Sequence, residues 1–119
     1  MNQGQNPSSS RIPLRVEGRI RMFPASDILW IEAHGHSAIL HLRDGSTAEV
    51  RPGIGAIAKE IPPALFMSIN RSEIVNLQEV AGTEHKSNGD HVLSLRDGTQ
   101  LILSRTRRAG VLRRLMGGT

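Results

Sequence analysis

The string Leu-Arg-Asp-Gly occurs twice in this chain, at 42–45 and 95–98, each time between short runs of alternating apolar residues. An Asp-Gly pair accepts the left-handed backbone that a tight hairpin turn requires, so each string marks a β-hairpin. Ala38 to Leu42 is expected to pair with Thr47 to Val50, and Val92 to Leu95 with Gln100 to Leu103. Two such hairpins commit a chain of 119 residues to a mainly β fold around a single modest core. One recurrence does not make a repeat array.

The remaining elements follow from periodicity. Residues 1–11 are polar and unpatterned and read as a disordered tail, residues 12–116 as one domain without an internal linker, and residues 117–119 as a frayed end. Leu14, Val16, Ile20 and Met22 alternate, which predicts one strand with Gly18 as a bulge. Ile28 to Ala33 is a second strand, ended by the polar break His34-Gly35-His36-Ser37. Ile54, Ile57, Ala58 and Ile61 stripe a short helix opened by Pro52-Gly53 and stopped by Pro62-Pro63. Phe66 to Ile69 and Ile74 to Val80 read as strands on either side of Asn70-Arg71-Ser72, and 86–90 as a loop. The last element is a helix from about Arg105 to Met116, with Ser104 as N-cap and Ala109, Val111, Leu112, Leu115 and Met116 on one side.

Charge is distributed unevenly. The formal net charge is +4, and thirteen of the fifteen basic residues are arginine. Residues 22–103 hold six basic and ten acidic side chains, whereas five arginines and no acid follow Ser104. Arg105, Arg107 and Arg108 crowd the first turn of the last helix, where cations oppose the helix dipole; an anionic ligand there would reverse that penalty. Arginine forks suit phosphate and guanine. The three aromatic residues, Phe23, Trp30 and Phe66, are needed for the core, which disfavours a reader of single strands that stacks bases on exposed rings. Duplex DNA or an acidic protein surface fits better.

The stretch Phe66-Met67-Ser68-Ile69-Asn70-Arg71-Ser72-Glu73-Ile74-Val75-Asn76 resembles the signature of the LytTR family of bacterial DNA-binding domains. That signature is an aromatic, a short strand, usually His-Arg-Ser, then apolar-Val-Asn. Around it, in family order, stand Ile28 to Ala33, the first Leu-Arg-Asp-Gly hairpin, the helical stretch Ile54 to Leu65, and the second hairpin running into Leu103-Ser104-Arg105. The resemblance covers roughly residues 12–116 and implies an elongated stack of small antiparallel sheets with short helices and a C-terminal helix. It further implies that loops, rather than a recognition helix, enter successive major grooves.

Carried over by position, the resemblance makes His36, Arg71 and Arg105 the base-reading candidates, with Asn70 and Ser72 beside Arg71. Two departures matter: Asn70 replaces the usual His, and His36-Ser37 the frequent Asn-Tyr. Arg107 and Arg108 are expected to neutralise phosphates. Each candidate has a plainer reading. Asn70, Ser72 and Asn76 flank strand ends and can serve the backbone; Arg71, Arg105 and His36 can be solvated surface residues.

Other chemistries find less support. Gly53-Ile54-Gly55-Ala56-Ile57-Ala58 matches a dinucleotide fingerprint, but the strands before it form a hairpin and no βαβ series exists. His34 and His36, with His41, His85 or His91, are the only candidate metal ligands, and Gly35 places the first two in a loop. There is no cysteine and no placed catalytic set, so no enzyme and no cofactor are expected. The expectation is a cytoplasmic regulator that binds double-stranded DNA at tandem half-sites, is monomeric until it pairs on DNA, and takes its signal from a partner protein. The competing reading is a small β-rich interaction module that binds an acidic partner.

Overall fold

The computed structural model describes residues 9–117. Ten strands and two α-helices follow in the order β1 (Arg11–Val16), β2 (Arg19–Pro24), β3 (Ile28–His34), β4 (Ser37–Leu42), β5 (Thr47–Val50), α1 (Ile54–Ile57), β6 (Phe66–Asn70), β7 (Glu73–Asn76), β8 (Val80–His85), β9 (His91–Leu95), β10 (Gln100–Leu103) and α2 (Arg105–Leu115). Short 3-10 turns at Ala25–Asp27 and Leu77–Glu79 lead into β3 and β8. All strand pairing is antiparallel, in three sheets ordered β1-β2, β5-β4-β3-β7-β6 and β10-β9-β8.

The five-stranded sheet is central because both of its faces are apolar. Successive side chains of a strand point to opposite faces, so Ile31 and Ile74 enter one core while Trp30 and Val75 enter the other. The first core holds Ile12, Leu14 and Phe23 of the β1–β2 hairpin against Leu40, Val50, Ile57 and Ile61. The second packs Ile69 and Met67 against Leu93, Leu101 and Leu103 of the three-stranded sheet and Val111 of α2. The result is a stack 45 × 38 × 25 Å across. Truncating a side chain such as Ile74, 2 % exposed, to alanine costs ~2–5 kcal/mol.

Both Leu-Arg-Asp-Gly hairpins form as expected, with one refinement. In each, the glycine N–H donates to the leucine carbonyl (Gly45 to Leu42 and Gly98 to Leu95, both 2.9 Å), and the leucine N–H donates to the residue after the glycine. This is a three-residue loop with the glycine left-handed, φ +89° and +93°. The aspartate closes it: Asp44 Oδ1 accepts from the Ser46 N–H and Asp97 Oδ1 from the Thr99 N–H, both at 2.9 Å.

Elsewhere the structure corrects the periodicity. The segment from Leu14 to Met22 is a hairpin rather than a bulged strand. Glu17 and Gly18 take φ 52° and 81°, and this left-handed pair reverses the chain so that Val16 meets Arg19. Arg11 belongs to β1, so the polar tail is shorter than expected; the rest of that tail, at 1–8, lies outside the described residues, as do 118–119. The expected strand from Ile74 to Val80 breaks at Asn76, whose Oδ1 accepts from the Gln78 N–H at 2.9 Å and turns the chain into a new strand, β8. The α1 helix is a single turn. In α2, Ser104 occupies the N-cap position without a side-chain cap bond, and Met116 is 85 % exposed rather than packed.

Candidate nucleic-acid interface

Strand direction determines which turns share an end of the molecule. In the β3–β4 pair His34 meets Ser37, so Gly35 and His36 form the tip. The β6–β7 turn carries Arg71 and Ser72. These two turns are locked side by side, because the Ala33 N–H donates to the Ser72 carbonyl at 2.8 Å. With β3 and β7 adjacent in the sheet, the turn centres lie two strand spacings apart, roughly 10 Å.

The start of α2 joins the same end from the other layer. The Ser104 N–H donates to the Ile69 carbonyl at 2.8 Å, which sets Arg105 beside the Arg71 turn. The motif positions His36, Arg71 and Arg105, spread over seventy residues of sequence, thus form a row with Arg71 in the middle. All three side chains are exposed, and among the described residues none has an ion-pair or side-chain hydrogen-bond partner. Arg107, also exposed and unpaired among the described residues, continues the positive surface along α2.

Asn70 and Ser72 do different work. Asn70 Oδ1 accepts from the Ser72 N–H at 2.9 Å, while its Nδ2 donates to Glu73 Oε1 at 2.9 Å and to the Ile102 carbonyl at 2.8 Å. Both amide hydrogens are therefore used inside the chain. The Asn70 side chain braces the Arg71 turn against β10, and Ser72 contributes its backbone to both neighbours. Ser37, one residue past His36, is buried, with its hydroxyl 2.6 Å from Glu49 Oε2 and 2.9 Å from the His34 carbonyl. Asn76 is 1 % exposed and pins β7 to β3 by donating to the Ile28 carbonyl at 3.0 Å.

The histidines do not assemble a metal centre: among the described residues no group of three or more His, Cys, Asp or Glu is placed to hold an ion. His41 is instead stacked on Trp30, ring centroids 3.8 Å apart, and is 2.6 Å from Glu32 Oε1. Arg108 is half-buried rather than free, and its charge acts on His91, a relation the sequence did not suggest. Arg51 was also missed. It is exposed at the end of β5 and exchanges two backbone hydrogen bonds with Arg15, of 2.9 and 3.0 Å. The only local signal was an arginine placed just before a proline at a strand end.

The family model of the LytTr DNA-binding domain matches residues 18–116. The chain belongs to the LytTr DNA-binding domain family. The transcriptional regulatory protein LytR of Staphylococcus aureus (strain MW2) is 22 % identical to it over 95 residues, which is 80 % of this chain and 38 % of that protein. The chain thus spans less than half the length of that curated relative. A solved LytTr DNA-binding domain from Bacillus cereus superposes with a TM-score of 0.72 at 20 % identity, covering 91 % of this chain and 97 % of that one. The LytTr fold is therefore present nearly complete, and the row of His36, Arg71 and Arg105 sits on a DNA-binding domain. The β1 strand lies ahead of the matched segment. The family is a DNA-binding one, and no helix among the described residues is long and apolar enough to cross a membrane.

Proposed function

We propose that this domain regulates transcription in the bacterial cytoplasm by binding duplex DNA at a specific sequence through the loops that carry His36, Arg71 and Arg105. The observation that supports this reading is the row itself: three motif positions brought to one end by backbone bonds, with their side chains exposed and unpaired among the described residues. An arginine fork on guanine O6 and N7 contributes ~1–3 kcal/mol of discrimination. His36 donates to a base acceptor or a phosphate. Arg107, with Arg51 at the other side of the row, neutralises backbone phosphates and fixes register.

His36 and Arg105, at the two ends of the row, suit successive major grooves. Two copies on tandem half-sites would read twice as many base pairs, and the input signal would come from a partner protein or a further domain. Selection of bound sequences from a random duplex pool tests the reading. A defined consensus is expected, with affinity falling in salt at a log–log slope on the order of −4 or steeper. A pool that yields no consensus, or binding indifferent to salt between roughly 50 and 200 mM, would refute it.

A further inference from the structure

The hairpin between β8 and β9 reaches the same end of the molecule, because His91 pairs with Leu103, the residue before Ser104. Two stacked imidazoles and the charge of one guanidinium come from three elements there. His91 of β9 stacks on His85 of β8, with ring centroids 5.7 Å apart and planes 13° from parallel. Arg108, one turn into α2, is near enough for its charge to act on His91. His91 Nε2 and Arg108 Nε are both shielded from solvent and have no hydrogen-bond partner among the described residues. A buried polar atom left without a partner costs free energy, so each of these two calls for one.

The electrostatics point to the sign of that ligand. Desolvation, then the Arg108 charge, then His85 push the His91 pKa below the usual histidine value. The acids nearby in the chain are engaged elsewhere: Glu84 pairs with Lys86 at 3.3 Å, and Asp90 Oδ2 accepts from Asn88 Nδ2 at 3.4 Å. The cluster therefore gathers a guanidinium and two imidazoles without a counter-charge of its own. A phosphate group is matched to this cluster in charge and in hydrogen bonding, since its oxygens accept from the Arg108 guanidinium and from a protonated imidazole.

We infer that His85, His91 and Arg108 form a phosphate site that takes a backbone oxygen of the bound duplex, with His91 Nε2 gaining a proton from solvent as the phosphate arrives. The inference rests on the DNA-binding reading and deepens it: beside the row that reads bases, one sequence-independent contact carries a proton link. Since the protonated form binds the phosphate, affinity is highest and flat below the free-state His91 pKa. It falls as pH rises between the free and bound values, by at most about tenfold per pH unit for one proton, and is flat again above them.

The test is an NMR titration of the imidazoles in the 119-residue chain, alone, with inorganic phosphate, and with a short duplex of arbitrary sequence. The duplex should move the His91 midpoint upward. Affinity measured against pH should lose its slope in His91→Gln and keep it in His36→Gln. If the duplex binds while the His91 midpoint stays put, or if His36→Gln removes the slope instead, this inference fails and the DNA-binding reading stands. A shift with inorganic phosphate but none with the duplex also overturns it. If no duplex binds under any condition, the DNA-binding reading itself fails. The midpoint is read in the unmodified chain, so a poorly folded variant does not decide the matter.

Discussion

Arg43 and Glu79 form an ion pair of 2.5 Å across thirty-six residues of sequence, at the end of the molecule opposite the row of His36, Arg71 and Arg105. Arg43 comes from the first Leu-Arg-Asp-Gly string and also donates to the Ser26 carbonyl. The Glu79 backbone carbonyl accepts from the N–H of Arg96 in the second string, at 3.0 Å. One residue thus ties both hairpins, and with them the five- and three-stranded sheets. Arg43→Ala leaves a 9 % exposed carboxylate without its partner and should cost about 1–3 kcal/mol in urea unfolding. DNA affinity of the folded fraction should not change, because the row lies at the far end. Unchanged stability would show that water replaces the guanidinium without loss.

Asn70→Ala removes three hydrogen bonds that brace the Arg71 turn. The expected cost is about 1–3 kcal/mol, since the Ile102 carbonyl and the Ser72 N–H lose a partner. Faster amide hydrogen exchange at Ser72 is the specific readout. If stability and exchange stay at wild-type values while base preference changes, Asn70 is a reader and not a brace.

Arg71→Ala and Arg105→Ala should each leave the circular dichroism spectrum intact, because both side chains are exposed. Each should relax preference at its own base pairs, by ~1–3 kcal/mol. Arg107→Ala should weaken binding to all sequences alike and make the salt slope shallower by about one. Base-by-base affinity profiles of the three variants decide between these roles.

Acid should loosen the two Asp-Gly hairpins in a defined window. Asp44 is held below the usual carboxylate range by the Ser46 hydroxyl and then its N–H, and Asp97 by the Thr99 N–H and then its hydroxyl. A carboxyl whose pKa is lower in the folded state stabilises that state above the unfolded value. The contribution disappears as pH falls through the folded value, that is, below about pH 4. Thermal unfolding followed by circular dichroism should show this acid limb, and Asp97→Ala should flatten part of it. Asp97→Asn retains an acceptor for Thr99 and should be the milder change at neutral pH.

Two copies on one face of the duplex should be about one helical turn apart, ~34–36 Å between half-site centres. Inserting about half a turn between half-sites should abolish cooperativity and leave single-site affinity unchanged. Sedimentation showing a stable dimer without DNA would contradict pairing that depends on the duplex.

Features made by neighbouring residues were legible in the sequence. The Asp-Gly loops, the strand alternation, the α2 helix and the signature around Arg71 all depend on contacts within a few positions. Local rules also failed locally. Gly18 reads as a bulge because the apolar alternation runs on across it, yet Glu17-Gly18 is a left-handed turn, and Asn76 ends a strand by a side-chain bond that periodicity does not register. Tertiary structure alone decided which turns share an end. The contacts Ala33 to Ser72, Ser104 to Ile69 and Arg43 to Glu79 each join separate elements, and their existence depends on which strands pair and how the sheets stack. Sequence nominated His36, Arg71 and Arg105 one at a time through resemblance. The pairing of β3 with β7 and the docking of α2 beside β6 made them neighbours, because a side chain's chemistry is local while its company is set by the whole fold.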